Sequence, residues 1–382
     1  MIHSLFEKKE KKVEYIELIY DLIFVYVIGR NNALLHHIEN GFVPWTDFLT
    51  YAVCTLAIIQ IWNYTTYYIN AYGDNSARDH VFMFINMFLL YFMAEGTRRE
   101  WADYHTQYHI AWALILLNVG AQYAIELRHH RDDPVHKRRI VRIMTIIFIE
   151  AAIVLLAILE FELWGTSYCS CAAIVFGLIA IALSGRNSCS AVIDFEHLSE
   201  RAMLYVVFTF GEMIIAIAGY FEGGFSFNNL YFSLMAFLIV VGLFLGYGAV
   251  YDRIVDRSLK TNGLGYMFLH VFIIFALNNI TTALEFMREE EVALMPKVLF
   301  ITGSMVVYFF FLFATSRYAK KKVSLHKRFF LTMAGITAAF VALMLLLREN
   351  MMVNIAVSAA YVFAVFFILR YYGIHAEREA ES

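Results

Sequence analysis

Residues 227–250 read FNNLYFSLMAFLIVVGLFLGYGAV, a long run without a single charged side chain. At 1.5 Å of rise per residue, a helix of roughly 20 apolar residues crosses the hydrocarbon core of a bilayer. The run therefore predicts a transmembrane helix. Eleven similar runs occupy most of the remaining chain, so the fold class is an all-α polytopic membrane protein with about 12 transmembrane helices. The predicted limits are 15–37, 46–71, 80–97, 104–127, 140–160, 163–184, 197–220, 227–250, 264–286, 297–317, 328–347 and 351–371.

The composition of the 382-residue chain agrees with this prediction. Hydrophobic residues make up 60% of the chain and the mean hydropathy is +0.61, whereas soluble proteins are roughly 45–50% apolar. The formal net charge of −3 does not indicate a nucleic-acid partner. The four cysteines follow neither a disulfide framework nor zinc-site spacing. We therefore expect membrane lipids and a small solute or ion as partners, no metal and no cofactor. The oligomeric state is not indicated.

The distribution of basic residues predicts the topology. Lys and Arg number 23 in one set of alternate loops and adjoining helix ends, including the N-terminal segment, and 5 in the other set. Because cytoplasmic loops are enriched in Lys and Arg, both termini should be cytoplasmic. The predicted segments are a basic cytoplasmic N-terminal segment (1–14), a six-helix half (15–184), a cytoplasmic connector (185–196), a second six-helix half (197–371) and a cytoplasmic tail (372–382).

The two predicted halves share short sequence matches in the same order. Glu17 corresponds to Glu200, each near the start of its half. Residues 83–84 and 267–268 both read Met-Phe, and residues 136–138 and 326–328 both read His-Lys-Arg. Six helices is an even number, so a duplication would leave both halves with the same orientation in the membrane. The sequence thus predicts a parallel 6+6 internal repeat.

Ionisable residues within the first apolar run form the first candidate site. Glu14, Glu17 and Asp21 are spaced by three and four residues, so they share one helical face. Neighbouring carboxylates raise one another's proton affinity, which suits a proton or cation site. The alternative is that nearby lysines and headgroup water neutralise them without any functional role.

The second candidate site consists of Glu196, just before the seventh run, and of four residues within that run, His197, Glu200, Arg201 and Glu212. Charged groups inside a membrane are costly unless they are paired or hydrated, so we expect partners for them. Depth along the helices predicts an Asp21–Arg201 pair and, as a weaker prediction, an Arg30–Glu212 pair. The structural alternative is that these residues only join helices.

Several other polar or aromatic residues within predicted helices are candidates for an ion or substrate path. Glu150 is a further mid-membrane carboxylate, and helix 9 has a polar face. The aromatic residues of helix 2 predict an interfacial aromatic belt or, alternatively, an aromatic-lined ligand pocket. No motif for a nucleophile, phosphate loop or metalloenzyme occurs, so no catalytic residue is assigned. The secondary candidates are His197, His270, Asn278, Trp62 and Tyr67.

The two charged clusters resemble signature regions of the bacterial low-temperature-requirement protein A family. The first is Glu-Leu-x-x-Asp-Leu-x-Phe-Val, present at residues 17–25. The second is His-x-x-Glu-Arg-x-x-Leu followed by Gly-Glu, present from His197 to Glu212 with Phe210 where Leu is usual. The resemblance implies a multi-pass membrane protein named for a requirement in cold growth. It does not imply a particular reaction.

These features favour a proton- or ion-coupled transporter or permease with an intramembrane carboxylate–arginine site. One alternative is an intramembrane lipid-modifying enzyme that uses the same carboxylates as acid and base. Another is a non-catalytic membrane sensor or assembly factor. The expected location is the bacterial cytoplasmic (inner) membrane.

Overall fold

The computed structural model describes residues 11–97, 101–185, 193–221, 226–321, 323 and 327–381. Within these ranges the regular structure is helical, and the only β pairing is two isolated bridges. The α-helices are α1 (Tyr15–Asn32), α2 (Trp45–Tyr72), α3 (Ala77–Glu95), α4 (Trp101–His129), α5 (Pro134–Trp164), α6 (Tyr168–Gly185), α7 (Phe195–Ala218), α8 (Phe227–Ala249), α9 (Leu264–Phe286), α10 (Leu294–Ala314), α11 (Lys327–Leu346) and α12 (Met351–Glu381).

The twelve described helices match the twelve predicted apolar runs in order. Ten of them, some extended by a short 3₁₀ or π turn, are long and apolar enough to cross a membrane, and α6 is a shorter apolar helix. The all-helical, multi-pass membrane fold is therefore confirmed. Twelve crossings, the parallel repeat and the cytoplasmic termini stay predictions.

The start of α5 differs from its prediction because a proline begins the helix. Asp133 is the N-cap residue, and its Oδ1 accepts the backbone N–H groups of Val135 at 2.9 Å and His136 at 3.2 Å. Pro134 occupies the first turn, where a missing N–H leaves no helical bond unmade. The helix consequently starts six residues before the predicted apolar run. Pro296 similarly lies in the first turn of α10 rather than in a loop.

The boundary between α5 and α6 was predicted at residues 160–162, which read Glu-Phe-Glu, but α5 continues through them to Trp164. Gly165, with φ +67°, ends the helix in the left-handed region that favours glycine. The Glu160 carboxylate then accepts the backbone N–H groups of Tyr168 at 2.8 Å and Cys169 at 2.6 Å. Glu160, whose charge suggested a loop, is thus itself part of α5 and caps the first turn of α6.

Contacts between residues divide the chain into two compact units. Unit 1 contains residues 1–27, 56–204 and 257–267, and unit 2 contains residues 28–55, 205–256 and 268–382. In unit 1, α4 packs against α3 and α5, and α5 packs against α6. In unit 2, α8 packs against α12, where a Cβ on Gly242 would lie 3.0 Å from Val362 Cβ. Glycine therefore permits close approach of these two helices.

Candidate functional site

A buried arginine is the centre of the candidate site in unit 1. Arg201, on α7, is fully buried. Its Nε donates to Asp21 Oδ2 at 3.0 Å, its Nη2 donates to Asp21 Oδ1 at 2.5 Å, and its Nη1 donates to Glu17 Oε2. Glu17 and Asp21 are four residues apart on α1, so both carboxylates face the guanidinium. The predicted Asp21–Arg201 pair is confirmed, with Glu17 as a second partner of the arginine.

Trp62 of α2 fixes the other side of Asp21. Its indole Nε1 donates to Asp21 Oδ1 at 2.8 Å, and its ring lies 5.9 Å from the Arg201 Cζ atom. Trp62 is fully buried, as is Tyr68. The prediction of an interfacial aromatic belt here is therefore wrong for Trp62, because its polar N–H meets a buried carboxylate instead of the headgroup layer.

His197, one helical turn before Arg201, orients a ring nitrogen towards Glu17. The amide Nδ2 of Asn70 donates to His197 Nδ1 at 3.0 Å, and His197 Nε2 lies 3.3 Å from Glu17 Oε2. Since an amide nitrogen only donates, Nδ1 must be the accepting nitrogen. This network assigns the ring proton to Nε2, which faces the Glu17 carboxylate.

The charges of this cluster do not balance. Two carboxylates, Glu17 and Asp21, face one guanidinium, and a neutral His197 leaves one negative charge in excess. The Lys11 ammonium, which lines the same cleft as Glu17, attracts this carboxylate and offsets part of the charge, and the remainder is costly where solvation is poor. One proton on a carboxylate would neutralise the cluster, whereas a second proton on His197 would occupy Nδ1 and break its contact with the Asn70 amide. We call Glu17, Asp21, His197 and Arg201 the arginine cluster.

An open cleft of about 630 Å³ leads to the arginine cluster at Glu17. Its wall includes Lys11, Glu14, Asn70 and Asp74, and Glu17 lines it although only 2% of that residue is exposed. The Lys11 ammonium donates to the Gly73 carbonyl at 2.7 Å, and burial lowers the pKa of Lys11 below its usual value. A hydrogen bond with Ser76 lowers the pKa of Asp74. Water and small ions thus have a polar approach to Glu17.

Glu150 belongs to a second group of buried polar side chains in unit 1. Its Oε2 accepts from the Tyr64 hydroxyl at 2.5 Å and from Gln60 Nε2 at 3.2 Å. Gly177 on α6 makes room for this pair, since a Cβ there would overlap the Gln60 amide and lie 2.6 Å from Glu150 Oε2. The structure therefore surrounds the predicted mid-membrane carboxylate with neutral donors rather than with a cation.

The other predicted residues lie outside the arginine cluster. Glu200 is half-buried on α7. In unit 2, Glu212 packs so closely against Gly29 that a Cβ on Gly29 would lie 2.9 Å from its carboxyl carbon. Gly29 precedes Arg30, but an Arg30–Glu212 ion pair stays a prediction.

The secondary candidates lie in two places. In unit 1, the Tyr67 hydroxyl donates to the Asn262 carbonyl at 3.4 Å. In unit 2, His270 Nε2 lies 3.0 Å from the Tyr247 hydroxyl, which agrees with a structural histidine. Asn278 is fully buried, and among the described residues its amide atoms have no hydrogen-bond partner. Buried amides are nearly always hydrogen-bonded, so an Asn278 side chain without hydrogen-bond partners among the described residues is unusual.

Sequence reasoning missed the hydrogen bonds of Gln60, Tyr64 and Asn70 on α2, although it had placed Tyr64 in the aromatic group of helix 2. A polar signal was available for the first two, because Gln60 and Tyr64 are four residues apart and Gln60 Nε2 donates to the Tyr64 hydroxyl at 3.0 Å. Nothing in the sequence indicates that Asn70 contacts His197, because 127 residues separate them.

The comparisons with known proteins identify a family for this fold and site. The protein-family model described as bacterial low temperature requirement A protein (LtrA) matches residues 12–366, and this range includes the whole arginine cluster. Neither the curated proteins nor the solved structures provide a match.

Proposed function

The chain belongs to the bacterial low temperature requirement A protein family, and we propose that it is a proton-coupled transporter whose coupling site is the arginine cluster. The proposal includes the bacterial cytoplasmic membrane as its location. Glu17 takes up and releases the proton, the Nε2–H group of His197 faces its carboxylate, Asp21 and Trp62 hold Arg201 in place, and the solute remains unassigned.

The single observation that supports this proposal most is the excess negative charge around Arg201. Three charge-assisted hydrogen bonds hold the guanidinium, but its single positive charge neutralises only one of the two carboxylates that it contacts. A purely structural ion pair needs only one carboxylate. A site that takes up and releases a proton needs a group whose charge state is finely balanced.

Proton uptake has a mechanical consequence in this geometry. Arg201 joins α7 to α1 through both Glu17 and Asp21. Protonation of Glu17 removes one of these ionic contacts and leaves Asp21 as the remaining partner. Because a charge-assisted hydrogen bond contributes about 1.5–3 kcal/mol, the loss weakens the α1–α7 contact appreciably. Proton binding from the cleft is thereby linked to the position of α1 against α7 within unit 1.

A structural role for the cluster is the main competing function. The complete burial of Arg201 and its close partners suits a joint between helices in a sensor or assembly factor. A lipid-modifying enzyme is a third possibility in which the Glu17 carboxylate acts as acid and base next to the cleft. The three functions predict different effects on proton flux when the charged residues of the arginine cluster are replaced with neutral ones.

Proteoliposomes separate these functions. The purified chain is reconstituted with an internal pH-sensitive dye, the membrane potential is clamped with potassium and valinomycin, and a panel of amino acids, sugars and nucleosides is added outside. We expect wild-type protein to give solute-dependent proton flux, and Glu17→Gln and Asp21→Asn to abolish it while the protein remains folded. Glu196→Gln is the matched control, because Glu196 is an exposed carboxylate one position before His197.

Two outcomes oppose the proposal. Flux that persists in both folded Glu17→Gln and Asp21→Asn proteins places coupling elsewhere. No solute-dependent flux in wild type across the panel contradicts proton-coupled transport of these solutes, and conversion of labelled phospholipid by the same preparation then supports the enzyme function.

A further inference from the structure

A second cavity lies within unit 1, away from the arginine cluster. It is narrow, about 50 Å³, and is bounded by α2, α4, α5 and α6 and by residues 262–264. Two arginines, Arg139 and Arg142, line it together with Tyr123 and the isoleucines Ile143 and Ile146. A cavity of this volume admits a segment of an acyl chain rather than a bulky ring.

The polarity of this cavity follows the depth of the membrane. Helix α5 has 31 residues and is about 46 Å long, whereas the hydrocarbon core is about 30 Å thick. Because all the basic residues of α5 lie in its first three turns, we place these turns in the headgroup layer, with Arg139 and Arg142 in the second and third turns. The isoleucines that line the cavity follow them along the helix. Cationic groups at headgroup depth above an apolar wall match the order of groups in an anionic lipid.

Two hydrogen-bond donors in the cavity wall lack partners among the described residues. Tyr123 is completely buried, and its hydroxyl has no partner there. The buried Nη1 atom of Arg139 also has none. Arg142 is held in place by its Nη1, which donates to the Ser184 carbonyl at 3.2 Å. Buried donors without partners are costly, and an anionic ligand with several oxygen acceptors satisfies such groups.

We propose that this cavity binds an anionic phospholipid. The phosphate lies against Arg139 and Arg142, and a segment of one acyl chain lies along Ile143 and Ile146. Tyr123 donates its hydroxyl to the ligand. This inference is independent of the proposed transport function, because none of these residues belongs to the arginine cluster.

The inner wall of the cavity also connects the ligand to Glu150. Tyr64 lines the cavity, and its hydroxyl donates to Glu150. A bound chain therefore packs against the residue that holds the mid-membrane carboxylate. Lipid binding at this site would stabilise the α2–α5 contact that Tyr64 and Glu150 form.

The test measures retention of radiolabelled phosphatidylglycerol by the delipidated full-length protein in a neutral detergent. The variant Arg139→Gln/Arg142→Gln removes both cavity arginines. Lys137→Gln/Arg138→Gln is the matched control, since it removes the same charge from the same helix at exposed positions outside the cavity. Binding is compared at low salt and at about 1 M salt, where the Debye length is about 3 Å and general surface attraction is screened.

At high salt we expect the Arg139→Gln/Arg142→Gln protein to bind phosphatidylglycerol at least about 10-fold more weakly than wild type, because it loses the charge-assisted hydrogen bonds to the phosphate, and these short-range contacts persist when surface attraction is screened. The control variant should bind like wild type. Equal retention by both double variants, or equal losses in both, would overturn the inference. Size-exclusion profiles and thermal unfolding establish that each variant is folded.

A third variant distinguishes a lipid from a free anion. Ile146→Trp fills the apolar part of the cavity and leaves both arginines in place. If a lipid is the ligand, this variant loses phosphatidylglycerol, and inorganic phosphate competes poorly with the lipid in wild type. If inorganic phosphate displaces the lipid completely and Ile146→Trp binds normally, the acyl chain has no part in recognition and the phospholipid proposal is refuted.

Discussion

Replacing Arg201 with glutamine tests the arginine cluster most directly. Arg201→Gln removes three charge-assisted hydrogen bonds and leaves Glu17 and Asp21 buried without their cation. Breaking a buried ion pair by removing one partner costs about 3–5 kcal/mol. We expect this variant to lie at the upper end, about 5 kcal/mol, because two carboxylates lose their partner. Asp21→Asn should cost less, about 3 kcal/mol, because Arg201 keeps Glu17.

The measurement is the free energy of unfolding by SDS in mixed micelles, followed by circular dichroism. A triple variant, Glu17→Gln/Asp21→Asn/Arg201→Gln, removes the three charged groups of the cluster together and leaves no orphaned charge. Its loss of stability should be smaller than the sum of the three single losses, because the residues act as one network. A structural cluster would then recover both abundance and function. A proton site would recover abundance while solute-dependent flux stays absent.

The exposed Glu196 again supplies the control. Glu196→Gln should change the free energy of unfolding by at most about 0.5 kcal/mol, as expected for a surface substitution. Strictly additive effects of the three single substitutions would refute the network. An Arg201→Gln protein as stable as the Glu196→Gln control would also refute the network, because removing the cation from a buried ion pair should lower the free energy of unfolding.

Three further results are expected. Gly177→Ala should destabilise the protein by about 1–3 kcal/mol in the same SDS assay, because the added methyl group overlaps the Gln60 amide. Gly211→Ala is the control and should be neutral or stabilising, because no atom lies within 4 Å of the added Cβ. Equal effects of the two substitutions would contradict the packing argument. Trp62→Phe should cost about 1.5–3 kcal/mol by removing the N–H donor to Asp21, and an unchanged unfolding free energy would show that this bond contributes nothing. Single cysteines should divide by labelling with an impermeant thiol reagent on intact cells: external sites react and cytoplasmic sites do not, and one reactive cytoplasmic site breaks the predicted topology. The cytoplasmic sites are Lys137, Lys260 and Lys321, and the external sites are Gly41, Glu290 and Arg99, of which Arg99 lies outside the residues that the structure describes.

Helix ends show where local sequence rules were sufficient and where they were not. Most predicted apolar runs agree with the observed helices within a few residues, because apolar length alone decides whether a segment spans a bilayer. The helix α12 continues ten residues beyond its predicted end at 371, to Glu381, and two other exceptions depend on polar residues. Pro134 lies six residues before the predicted fifth run and begins its helix, and Glu160 was the predicted end of that run and caps the following helix. In both cases the backbone hydrogen bonds of a helix terminus determine the outcome.

The sequence by itself determined that this protein is a helical, multi-pass membrane protein, and it singled out Asp21 and Arg201 as partners, because a charge in an apolar run requires a counter-charge. Only the tertiary structure decided that Glu17 also contacts Arg201 and that His197 faces Glu17. It likewise decided that Trp62 donates to Asp21 and that Glu150 meets Tyr64 and Gln60. Helix periodicity assigns residues to a face, but the neighbour of that face depends on how helices distant in sequence pack together.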